Sequence, residues 1–154
     1  MMDNLTDETA KNEILAKNLD FALTDDSNYF ASLINGVAGV CYEAARVSGW
    51  HTDIKTGLPQ TAEDHGERFP LRIALCHSEL SEALEGHRKG LADDKLPHRP
   101  MAEVELADTV IRIFDLAGAM GYDIGGALIE KIRFNMKRSD HRLENRKAEG
   151  GKAY

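Results

Sequence analysis

The sequence predicts an all-α domain, a bundle of four to five helices, on three observations. Apolar residues recur at i, i+3 and i+4 through several segments of helical length. Glycine and proline fall between those segments rather than inside them. No segment alternates apolar and polar residues as a half-buried strand does. The 154 residues, 42% hydrophobic and 29% charged, suit one folded domain with one core.

Met1 to Ser27 holds seven acidic residues against two basic ones and has only a weak apolar pattern, with room for a short helix around Ile14 to Leu19. It reads as an acidic N-terminal arm, 1–27. The first long helix is expected from Asn28 to about Val47: Phe30, Leu33, Ile34, Val37, Cys41, Ala44 and Ala45 share a face, and Asp26 or Ser27 is placed to cap it. Trp50 to Arg68 carries Gly57, Pro59 and Gly66 among polar residues and reads as a long loop. Pro70 suits the first turn of a second helix that runs to about Gly90. A polar linker closed by Pro97 and Pro100 leads to a third helix ending near Met120, with Gly121 beyond its end. Asp123 can cap a fourth helix to about Arg138, with Ile124, Ala127, Leu128 and Ile132 on one side. Ser139 to Tyr154 is strongly charged and is expected to fray. The domain is therefore expected over 28–142, with a charged tail over 143–154.

The composition excludes several classes of function. No apolar run approaches the length of a membrane span. The N-terminus has the pattern of neither a secretory nor a mitochondrial signal, so a cytoplasmic location is expected. Cys41 and Cys76 belong to no zinc-binding spacing and read as small core residues. A net charge of −7 argues against nucleic-acid binding. It still permits an anionic substrate where metal ions mediate the contact.

Acids stand where apolar residues are expected. With about 100° between successive residues, Glu79 falls between Leu75 and Ala83 on the inward face of its helix, and Glu82 lies beside it near Leu71 and Leu75. On the third helix Asp108 falls among Val104, Ile111 and Ala119, with Glu105 beside it. The other side of that helix, Leu106, Val110, Ile113 and Ala117, is also apolar, which marks a buried helix. Burying unpaired carboxylates costs several kcal/mol each, so they must protonate, pair or bind cations. Hard oxygen donors without cysteine or paired histidine favour Mg²⁺ or Mn²⁺. The ion-pair alternative has a local candidate in Arg112, four residues after Asp108. Lys131, Asn135 and Arg138 share a stripe of the fourth helix with Ile124 and Leu128. That stripe suits either a phosphate chain or cations reaching solvent from a helix end.

The segments His77-Ser-Glu-Leu-Ser-Glu-Ala-Leu-Glu85, Glu105-Leu-Ala-Asp-Thr-Val-Ile-Arg112 and Lys131-Ile-Arg-Phe-Asn-Met-Lys-Arg138 together resemble the MazG-like branch of the all-α NTP pyrophosphohydrolases. The likeness covers roughly Asn28 to Arg142. That family carries EExxE followed by ExxD; Glu79 and Glu82 match its second and third acids, and Glu105 and Asp108 match the ExxD. Ser78 replaces the first acid. The resemblance implies a MazG-like bundle assembling as a homodimer or homotetramer. It also implies Mg²⁺-dependent hydrolysis of a nucleoside triphosphate to monophosphate and pyrophosphate, with Mn²⁺ as a substitute ion. Glu79, Glu82, Glu105 and Asp108 would be the metal-binding and catalytic acids, and Lys131, Asn135 and Arg138 would hold the triphosphate. Base preference varies within the family and is not implied. Trp50 and His51, at the head of the loop, could stack on a base; the alternative is a Trp50 packed as a lid on the bundle.

Two rivals remain. A di-iron bundle needs Glu-x-x-His, and none of the six histidines has an acid three residues before it. An acidic helical interaction module with ion-paired inward acids needs no metal at all. A related pyrophosphohydrolase acting on a nucleotide such as phosphoribosyl-ATP is the nearest enzymatic alternative.

Overall fold

The structure is a computed structural model that describes residues 27–150. The expected acidic arm up to residue 26, its short helix and the cap at Asp26 lie outside what is described, and Ser27 is the first residue of the first helix. The described chain is helical, in the order α1 (Ser27–Val47), α2 (Ala62–Glu67), α3 (Phe69–Lys89), α4 (Met101–Met120), α5 (Ile124–Lys137), a 3-10 turn (Ser139–His141) and α6 (Leu143–Lys147). No strand occurs among the described residues; the only extended pairings are isolated bridges, Thr52 with Pro59 and Ala92 with Pro100. No helix of the described residues is long and apolar enough to cross a membrane.

The chain divides into two compact units, one of residues 35–124 and one of residues up to 34 together with 125 onward. In the first unit, α3 and α4 form the central antiparallel pair. Pro70 opens α3 in the first turn, where its missing N–H costs nothing. Gly90 and Gly121 end α3 and α4 in the left-handed conformation that glycine adopts without strain. Between them Asp93 folds the linker back, its carboxylate accepting from the Lys95 and Leu96 amides at 3.0 and 2.6 Å.

The stretch 50–68 is more ordered than the expected loop. Asp53 accepts from the Lys55 and Thr56 amides and from the Thr56 hydroxyl, closing a tight turn across the Thr52–Pro59 bridge. Thr61 and Asp64 then form a reciprocal capping box that starts α2. That signature, threonine followed three residues later by an acid, is present in the sequence. The segment after α5 also departs from expectation, since Ser139–His141 and Leu143–Lys147 form short helical turns, exposed apart from the half-buried Asp140.

The buried stripe of α3 is Cys76, Glu79, Ala83 and Gly86, and that of α4 includes Glu105, Thr109, Leu116 and Ala117. Both are rotated by about one position from the faces expected above. Leu71 and Leu75 are exposed, as are Leu106, Val110, Ile111 and Ile113 on α4. Small residues let the helices approach. A Cβ at Gly86 would fall 2.9 Å from the Met101 Cβ, and one at Gly118 would fall 2.5 Å from the Tyr42 Cβ. The second contact seats α1 against α4.

Gly118→Ala should therefore destabilise the protein by about 2 kcal/mol, although alanine is the better helix former by about 1 kcal/mol. Urea denaturation checks this; an unchanged or raised midpoint would mean that the Tyr42 contact is not close.

Candidate metal centre

Glu79 on α3 and Glu105 and Asp108 on α4 each direct a carboxylate oxygen to one point, all within 4.8 Å of one another. Glu79 and Glu105 are 7% and 8% exposed, and Asp108 is the most exposed of the three, so the cluster opens on one side. The cause is the register of the helix pair: the buried stripes of both helices carry an acid at the same level, and neither acid can turn to solvent without leaving its helix face. Glu82 is exposed and is not in the convergent group, because the rotation of α3 carries it off the seam. Its charge still reaches Glu105. Burial, a hydrogen bond with Glu79 and the charges of Glu82, Glu79 and Asp108 push the Glu105 carboxyl up to about 7. A protonated Glu105 shares its proton with Glu79; an ionised one needs a cation.

Arg112 supplies part of that charge, but not to Asp108 as its spacing suggested. Its Nε donates to Glu79 Oε1 at 2.6 Å, across the helix pair. The donor set is three carboxylates with no sulfur or imidazole, which fits a hard divalent cation in the chemistry of its atoms.

A second polar assembly lies two turns along the same helices. Arg72 Nη1 donates to Asp115 Oδ2 at 3.0 Å, and His51 Nε2 meets Asp115 Oδ1 at 2.6 Å. Arg72 Nη2 reaches His51 Nδ1 at 3.0 Å and Gln60 Oε1 at 3.2 Å. Guanidinium only donates, so Nδ1 of His51 accepts; its proton sits on Nε2 and is donated to Asp115. The His51 ring is also flanked edge-on by Tyr42 and His65. Burial, with the nearby Arg72 guanidinium adding to it, lowers the His65 pKa, so this second imidazole favours its neutral form. This assembly was not foreseen. Its signal was the spacing of seven, from Glu79 back to Arg72 and from Asp108 on to Asp115, which returns to nearly the same helix face.

His51 is thus occupied and buried, not free to meet a base. Trp50 beside it is 75% exposed and is no packed lid. Cys76 is buried and Cys41 half-buried; burial raises both thiols, as expected of inert residues.

Lys131, Asn135 and Arg138 belong to the other unit. Lys131 stands over the Phe134 ring at 4.9 Å, and Arg138 is paired with Asp140 through two hydrogen bonds. Asn135 Oδ1 is buried without a hydrogen-bond partner. The carboxylate cluster is built wholly within residues 35–124.

Compared with protein-family models, curated proteins and solved structures, the chain gives no match.

Two outcomes are expected. Glu105 has an ordinary value of 4.5 and a folded value of about 7, so the folded chain keeps a proton that the unfolded chain gives up between them. Stability in EDTA should fall as pH rises through that window, and Glu105→Gln should abolish the fall, gaining on the order of 2 kcal/mol above it. Melts from pH 4.5 to 8 decide; parallel curves for the two proteins would discard the assignment. Asp115→Ala leaves Arg72 and His51 without their acceptor and should cost about 3 kcal/mol, read from urea unfolding.

Proposed function

We propose that the protein is a metal-dependent nucleoside triphosphate pyrophosphohydrolase that releases monophosphate and pyrophosphate, using Mg²⁺ with Mn²⁺ as a substitute. The observation that carries the reading is the convergence of Glu79, Glu105 and Asp108 from two antiparallel helices. These are acids of the ExxE and ExxD segments in which the chain resembles the MazG-like family. Bound there, a divalent ion would polarise phosphoryl oxygens and acidify a water. The chain's own part is to hold the carboxylates in place on packed helices and to keep Glu79 and Glu105 largely out of bulk water. Glu82, at the exposed edge, adds negative charge and an outer carboxylate to the site on this reading.

Lys131, Asn135 and Arg138 hold the phosphates on this reading, which for them rests on the sequence resemblance; Arg138 would exchange Asp140 for phosphate. The exposed ring of Trp50 is free to stack on a base. The exposed leucine, isoleucine and valine faces of α3 and α4 support assembly into a homodimer or homotetramer.

A second reading is favoured by one observation: the Glu79–Arg112 pair is what a non-catalytic module with ion-paired acids would show. Metal dependence separates the two.

The test is monophosphate and pyrophosphate release from a panel of canonical ribo- and deoxyribonucleoside triphosphates plus dUTP, with Mg²⁺ and with EDTA. Metal-dependent release is expected. Glu79→Gln and Asp108→Asn should lower it by at least about a hundredfold with the helical circular dichroism retained. Loss of the helical signal in both variants without metal would make these acids structural. No release from any substrate by folded, metal-supplied protein would favour the non-catalytic module.

A further inference from the structure

Arg112 has no part in the chemistry above, yet it holds the most buried acid of the cluster. Its Nε bonds Glu79 Oε1 at 2.6 Å while the two side chains differ sharply in freedom: Glu79 is 9% exposed and Arg112 41%. The carboxylate is fixed by the packing of α3 on α4; the guanidinium sits on a long stem with solvent behind it. Three carboxylates with oxygens within 4.8 Å repel unless a positive charge stands among them. Arg112 is such a charge. A divalent ion would draw on the same Glu79 carboxylate, whose Oε1 Arg112 already holds, and placing it beside a retained guanidinium would set two positive groups against each other in a half-buried site.

We propose that Arg112 is the resident counter-ion of the cluster and that a divalent metal ion competes with it for Glu79, so that metal entry expels the guanidinium toward solvent. The proposal rests on reading the acids as a metal centre. Arg112 is a positioning residue: without metal it holds Glu79 at the seam, and it sets the threshold of metal concentration at which the site fills. The opposite arrangement is also chemically reasonable, an arginine that stays and orients the ligating carboxylate from outside. The two make opposite predictions. A competitor, when removed, leaves the metal bound more tightly; an orienting group, when removed, leaves it bound more weakly.

The experiment is calorimetric titration of Mn²⁺ into metal-stripped full-length protein, with melts in EDTA and in saturating Mn²⁺. Arg112→Gln should bind Mn²⁺ about tenfold more tightly than the parent, the size expected for loss of one charge-assisted hydrogen bond to a buried carboxylate. It should melt lower than the parent in EDTA and level with it in Mn²⁺. Arg112→Lys keeps the charge and the stem and should shift affinity in the same direction by less, which decides the matter if the glutamine variant fails to fold. Lys95→Gln is the control for simple charge removal. Lys95 lies in the field of Glu105 but bonds Asp94, and its loss should change affinity by less than about twofold. Equal or weaker binding by the Arg112 variants, or an equal gain in Lys95→Gln, overturns the proposal while the metal reading stands. Absence of Mn²⁺ binding in the parent overturns both.

Discussion

The seam between α3 and α4 is polar where a helix pair is usually apolar, and most of what surrounds it follows from that. Reading along the antiparallel pair, Arg72 faces Asp115, Glu79 meets Arg112 and stands beside Glu105, and Gly86 closes against Met101. Helices this close admit little water, so each charge on the seam needs a partner in the protein or an ion from outside. At one level the pairing is complete: Asp115 accepts from both Arg72 and His51, and Gln60 takes the remaining guanidinium edge. At the other, three acids meet one arginine. The local surplus of negative charge is the physical basis of the functional reading.

The completed level explains why residues 50–67 fold as they do. His51 and Gln60 must both reach Arg72, and the Gln60 amide bonds the His51 carbonyl. The Asp53 turn shortens the path between them, and the capping box at Thr61 then turns the chain so that His65 lies against His51. Long connections without structure of their own are uncommon in compact domains; here a buried polar network ties the segment down.

The unbalanced level is held open by rigidity. Like charges at hydrogen-bonding range would splay apart on a loop; on two packed helices with small residues at Ala83 and Gly86 they cannot. Glu105 responds by holding its proton more tightly, Glu79 by accepting from the Arg112 guanidinium. Both devices neutralise charge that a hard divalent ion could neutralise instead, and both are reversible. Among the described residues, apolar side chains stay exposed on the outer faces of the same helices, Leu80 and Leu84 on α3 and Leu106 and Val110 on α4.

Helix positions were legible in the sequence because they depend on local rules. Proline in a first turn, glycine in the left-handed conformation after a last turn and a 3.6-residue apolar period act over a few residues, and α1, α3, α4 and α5 begin and end close to where those signals place them. Glu79, Glu105 and Asp108 were legible too, since an acid on an apolar face is anomalous without reference to any partner. Which of two apolar faces turns inward was not: α3 and α4 carry leucine, isoleucine and valine on both sides, so composition cannot choose, and a rotation of one position put Glu82 outside and Arg112 on the seam. The helix at Ala62–Glu67 was missed because six residues give no period to read. The His51–Arg72–Asp115 network joins residues as far as 64 positions apart. The sequence by itself determined the helices and the anomalous acids; only the tertiary structure decided which acids converge and which cations answer them, because a charge on a helix is assigned its partner by the register of the neighbouring helix.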